Sequence, residues 1–243
     1  MHCSTFLPVA KDAKEAVLGD FTANREFGFG SGNVMTLTAN GGRTGKVYTY
    51  LTAEEAAEYG IEGLTAGWYD YNYVNDEWSW ETPIPAEKCG NNLPLPYGTM
   101  FIVQAANGAA ITYNGQVLDQ NYSFSIIEGE YNMLGNATPV DLTLGDFIAN
   151  RGFGFGSGNV MTLTANGGRT DKMYTYLTEE EAEEYGIEGL LPGWYDYNFV
   201  NDEWSWETPI PAEKCGNSLP IPAGYGFIVQ AATGAVLELP KAL

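Results

Sequence analysis

An internal duplication constrains this chain more than any other feature. Shifted by 126 positions, residues 18 to 117 fall on residues 144 to 243 with 23 differences among 100 aligned positions. Two copies this similar must fold alike, so the chain reads as one unit, a junction and a second unit. This predicts two domains of ordinary size, one over residues 1 to 117 and one over residues 118 to 143 plus the second copy, ending at 243. The junction, LDQNYSFSIIEGEYNMLGNATPVDLT, occurs once and has the pattern of two strands leading into Leu144-Gly145-Asp146-Phe147. Its counterpart ahead of Leu18-Gly19-Asp20-Phe21 is 17 unrelated residues. The first domain is therefore expected to lack the opening strands.

The composition, with 14% aromatic residues, 30 glycines and 12 prolines, is that of short strands joined by tight turns. Val34 to Ala39 alternates and ends at Asn40-Gly41, a turn pair that favours positive φ and recurs as Asn166-Gly167. Lys46 to Leu51 reads as the returning strand. Thr52 with Glu55 forms a capping-box pattern and Gly60 a stop, repeated by Thr178, Glu181 and Gly186. One short helix per copy follows. Residues 67 to 73 read as an aromatic strand, Asn75-Asp76 as a turn and Trp78-Ser79-Trp80 as the start of the return. A proline-rich loop precedes the closing strand from Met100, and a last strand follows Asn107-Gly108. The expected fold is mainly β: two tandem, near-identical β-sandwich or barrel-like domains, each with one short helix.

A formal charge of -20, from 31 acids and 11 bases, opposes binding to nucleic acid and to anionic lipid. No apolar run reaches the roughly 20 residues of a membrane span, so membrane insertion is not expected. The N-terminus lacks the basic start and apolar centre of a secretion signal, so any export signal is expected to have been removed or not included.

Catalytic chemistry is poorly supplied. The single histidine, His2, lies outside the duplication, which leaves neither copy a Ser-His or Cys-His pair. Asp70 with Glu77, or Asp76 with Glu81, is a carboxylate pair of the type used in glycoside hydrolysis, but the expectation is a solvated turn and no enzyme. Phe27-Gly28-Phe29-Gly30-Ser31-Gly32-Asn33 opens a strand instead of a long helix, which argues against a phosphate loop. Asp70, Asn72 and Asp76, with Asp196, Asn198 and Asp202, offer oxygen ligands suited to calcium; no other cofactor is expected. Trp68, Trp78 and Trp80, with Trp194, Trp204 and Trp206, are candidates for a sugar-stacking face.

Three phrases carry a family resemblance: Gly129-Glu130-Tyr131-Asn132-Met133-Leu134-Gly135-Asn136, an early Trp strand, and Leu219-Pro220-Ile221-Pro222-Ala223-Gly224-Tyr225-Gly226-Phe227-Ile228-Val229. Together they resemble repeat modules of large bacterial secreted and surface proteins. The resemblance covers the second unit with its junction, and the first unit only from its later strands. It implies small β domains with structural or adhesive roles.

If a complete domain needs the junction strands, the first one keeps an open edge, which is a template for another chain's strand. The leading expectation is an extracellular or cell-surface structural subunit that polymerises head to tail with copies of itself. Its interface would include Cys3, Phe6, Leu7, Val9, Leu237, Leu239 and Leu243, with an intermolecular disulfide among Cys3, Cys89 and Cys215. The alternatives are that residues 1 to 17 fill the edge within the chain, or that the protein is a tandem glycan-binding module.

Overall fold

The computed structural model describes residues 2–5, 16–24, 34–39, 42–95, 97–98, 100–104, 110–113, 121–150, 160–165, 168–230 and 234–239. Ahead of the first copy lies β1 (His2–Thr5). The first copy comprises β2 (Phe21–Ala23), β3 (Val34–Ala39), β4 (Gly42–Leu51), helix α1 (Ala53–Tyr59), β5 (Gly67–Asp70), β6 (Met100–Gln104) and β7 (Ile111–Tyr113). The junction supplies β8 (Tyr122–Ile126), β9 (Tyr131–Gly135) and β10 (Leu142–Thr143). The second copy continues with β11 (Ile148–Ala149), β12 (Val160–Ala165), β13 (Gly168–Leu177), α2 (Glu179–Tyr185), β14 (Gly193–Asp196), β15 (Pro220–Ile221), β16 (Gly226–Gln230) and β17 (Ala235–Leu239). The protein is mainly β, built from antiparallel sheets with few and short helices. Among the described residues no sheet closes into a barrel, and no helix is long and apolar enough to cross a membrane.

Each copy organises a five-stranded sheet, in the order β1-β6-β3-β4-β5 for the first and β9-β16-β12-β13-β14 for the second. Strands β1 and β9 share no sequence yet occupy the same place in the same register. Cys3 stands opposite Ile102, and Met133 stands opposite its counterpart Ile228. A strand edge recognises main chain, so unrelated segments can fill it. The N-terminal segment thus completes the first sheet within the chain, through His2–Thr5. Phe6, Leu7 and Val9, the Phe27 to Asn33 motif, both Asn-Gly pairs and Asn107-Gly108 lie outside the described residues. The second copy also has a three-stranded sheet, β11-β17-β8, where the first has β2-β7 among the described residues.

The helices form for the expected reasons. Thr52 Oγ1 accepts from the Glu55 N–H at 3.2 Å, and Glu55 Oε2 accepts from the Thr52 N–H at 3.1 Å. Gly60 then closes the helix at φ 65°. Seven residues cannot hold a helix in water. Its stability comes from Ala56, buried in a small cluster with Leu51, Leu64, Tyr69, Val74 and Trp78. The second copy repeats this cluster around Ala182, Leu177 and Trp204.

A larger apolar cluster runs through both copies, taking in Leu18, Phe21, Trp68 and Phe101 from the first and Leu144, Phe147, Trp194 and Phe227 from the second. Strand β8 contributes to it from the junction. It is hydrogen-bonded to β17, while Tyr122 packs on Tyr97 with ring centres 4.1 Å apart and Phe124 lies against Gly98. The sharp turn that ends the second opening strand is fixed by buried Asn136. Its Nδ2 donates to the carbonyls of Val140 and Ile221, both at 2.9 Å, and its Oδ1 accepts from the Thr138 N–H at 3.0 Å and Oγ1 at 2.7 Å. Every polar atom of this side chain has a partner.

Candidate functional site

The aromatic stretch does not fold as the expected pair of strands. Only Gly67–Asp70 is extended; residues 71 to 77 coil into a helical turn whose last part, Tyr73–Glu77, is wide and π-like. Asp70 accounts for the change. Its Oδ1 accepts the Tyr73 N–H at 3.0 Å, and Asp196 does the same for Phe199 at 3.0 Å, so each aspartate caps the turn that follows it. Residues 78 to 80 then run on without strand structure.

This geometry divides the tryptophans. Trp68 and Trp194 are fully buried in the large cluster and cannot stack on a sugar. The Trp68 indole N–H donates to the Phe21 carbonyl at 2.7 Å, and Trp194 pairs likewise with Phe147 at 2.7 Å. Trp78 and Trp204 are also buried, in the small clusters under the helices, with their indole N–H groups on the Thr82 and Thr208 carbonyls. Trp68 faces the large cluster and Tyr69 the small one, so both faces are covered.

Two of the six sugar-stacking candidates remain at the surface, Trp80 at 40% and Trp206 at 39% exposure. Both have positive φ, 61° and 63°. A bulky side chain in this left-handed region costs about 1–3 kcal/mol, and such outliers collect at functional positions. Trp80 packs on Trp78 with ring centres 4.6 Å apart and is flanked by Tyr59 at 6.0 Å. Trp206 repeats this with Trp204 at 4.6 Å and Tyr185 at 5.9 Å. The sequence reading missed the tyrosines. Their position at the last turn of each helix, next to the Gly stop, was the available signal.

The calcium candidates have other roles in the fold. Among the described residues no group of three or more His, Cys, Asp or Glu could hold a metal ion. The Asp70 and Asp196 carboxylates are occupied as caps, Asn72, Asp76, Asn198 and Asp202 are exposed, and Asp196 lies 4.0 Å from Lys214 Nζ. Lys214 also sits over the Phe199 ring at 5.0 Å, as Lys88 does over Tyr73 at 5.1 Å.

Of the residues assigned to an assembly interface, Leu237 and Leu239 are buried in β17, between β11 and β8 of the same chain. They belong to the core and are withdrawn as contacts between chains. Cys3 is paired through its backbone in β1, while Phe6, Leu7, Val9 and Leu243 lie outside the described residues. Cys89 and Cys215 are half-buried free thiols, each in a backbone bridge to the neighbouring Tyr69 or Tyr195.

The chain matches no protein-family model, no curated protein and no solved structure in the comparisons made.

Proposed function

We propose that this chain is a non-enzymatic structural protein of the extracellular space or cell surface that joins to copies of itself by strand complementation, with β1 as the exchanging strand. The observation that carries this reading is the shared register of β1 on β6 and β9 on β16 by two unrelated sequences. An edge filled through main-chain bonds can also take a strand from a neighbouring chain, because it recognises backbone and not side chains. Strand β1 has four residues and lies at the end of the chain's described part, a short terminal element of the kind that exchanges between protomers. The edge that β1 leaves is open to the β1 of a further copy, so the contact is head to tail and propagates where it does not close into a ring. The high negative charge suits a protein that works in water and in which cations at the contact lower repulsion between copies.

Light scattering after size exclusion, with negative-stain microscopy of the same fractions, tests the reading. The full chain should form concentration-dependent oligomers or fibres, and removal of residues 1 to 17 should leave only single particles. A full chain that stays monomeric at every concentration contradicts it.

A further inference from the structure

The two surface tryptophans carry a second inference, independent of how the chains associate. Each repeat builds the same ledge from one exposed Trp lying on a buried Trp, with a Tyr beside it. In the first the Tyr59 and Trp80 rings are inclined by 35°, in the second the Tyr185 and Trp206 rings by 37°. Packing alone would be served by a smaller or more flexible residue. Glycine would also remove the backbone strain that Trp80 and Trp206 both carry at positive φ. The chain instead keeps an indole in a strained backbone at both places, with its outer part in solvent.

The chemistry around the ledges selects the occupant. An indole face offers apolar area to the C–H face of a pyranose ring. Exposed Glu81 and Glu207 follow the tryptophans, and exposed Ser79, Thr82, Ser205 and Thr208 lie within two residues of them. These carboxylates and hydroxyls accept hydrogen bonds from sugar hydroxyls. A net charge of -20 opposes uronic or sulfated glycans, nucleic acid and a second copy brought ledge to ledge. A neutral polymer with a repeating unit pays no such electrostatic cost, and two equal sites on one chain hold it more tightly than either alone.

We propose that Tyr59 with Trp80, and Tyr185 with Trp206, are two equivalent binding sites for a neutral polysaccharide. Affinity electrophoresis of the full chain tests this in gels containing mixed-linkage β-glucan, xyloglucan, galactomannan or polygalacturonate. At least one neutral polymer should retard the protein. The double variant Trp80→Gly, Trp206→Gly should lose about tenfold or more in affinity, with each single variant in between. Glycine suits the backbone at both positions, and a cooperative unfolding transition in the double variant shows that lost retardation is not lost folding. A second pair, Tyr59→Ala with Tyr185→Ala, should weaken binding without touching the strained residues. Failure of every neutral polymer to retard the chain would overturn the proposal, as would retardation by polygalacturonate alone or unchanged retardation of the double glycine variant. So would a change in oligomeric state of that variant without any glycan effect, which would make the ledges contacts between copies. Deleting residues 1 to 17 should leave retardation in place, so this proposal and strand exchange stand or fall separately.

Discussion

Trp68 donates its indole N–H to the main-chain carbonyl of Phe21 at 2.7 Å, across 47 positions of sequence, and Trp194 is bonded to Phe147 in the same way. Each bond fastens the opening Leu-Gly-Asp-Phe turn of a repeat to its central strand. Asn91 adds a second fastening. Its Oδ1 accepts the Trp68 N–H at 2.8 Å while its carbonyl accepts the Gly19 N–H at 2.9 Å. Two motifs that both recur unchanged in the second repeat, Leu-Gly-Asp-Phe and Gly-Trp-Tyr-Asp, are therefore two ends of one contact.

Trp68→Phe keeps most of the apolar volume but leaves the Phe21 carbonyl unpaired in the core. The expected loss is about 1–3 kcal/mol, and Trp68→Ala should cost more, about 3–5 kcal/mol. Urea unfolding followed by circular dichroism measures both.

Asn136 makes four side-chain hydrogen bonds in a buried turn. Asn136→Ala removes the side-chain partner of the Ile221 carbonyl and the Thr138 N–H, while the Val140 carbonyl keeps the Thr138 hydroxyl as a donor at 3.1 Å, and should lower stability by about 2–3 kcal/mol. Asn136→Asp should be as damaging, since a carboxylate cannot donate to the two carbonyls. The midpoint of thermal unfolding reports the change.

Much of the secondary structure was legible in the sequence. Thr52, Glu55 and Gly60 marked a helix by local chemistry, and the helix has those caps. Val34 to Leu51 announced a hairpin by alternation, and β3 pairs with β4. Residues 71 to 80 were misread because alternation of aromatic and polar residues cannot reveal that Asp70 will cap a helical turn. The burial of Trp68 and Tyr69 on opposite faces was also hidden, because it depends on a helix packing over one side of the sheet. For the same reason six tryptophans read as equivalent when the fold buries four of them.

The helix caps offer a smaller test. Thr52→Ala and Thr178→Ala each remove the acceptor of the first-turn N–H and should cost about 1 kcal/mol. The losses should add in the double variant, since the two helices pack in separate small clusters. A chemical denaturation series on the four proteins resolves this.

Alkaline pH should unfold the chain. Burial raises the Tyr97 pKa, helped by neighbouring Tyr122, and burial likewise raises those of Tyr48, Tyr50, Tyr174, Tyr176 and Tyr195. A phenol whose pKa is higher folded than unfolded holds its proton longer in the native state. Its stabilising contribution is complete below about pH 10, the unfolded value, and is lost as pH rises toward the folded one. Phenolate absorbance and circular dichroism should therefore change together above that pH. Tyr97→Phe should reduce the steepness of the loss.

Disulfide trapping of β1 on its edge tests the central claim most directly. Cys3 stands opposite Ile102 in the β1–β6 pair, so Ile102→Cys, in a chain with Cys89→Ser and Cys215→Ser, sets two cysteines at paired register positions of that edge. Strand exchange predicts a ladder of disulfide-linked oligomers on a non-reducing gel, growing with protein concentration. A single intramolecularly bridged monomer at every concentration would contradict it.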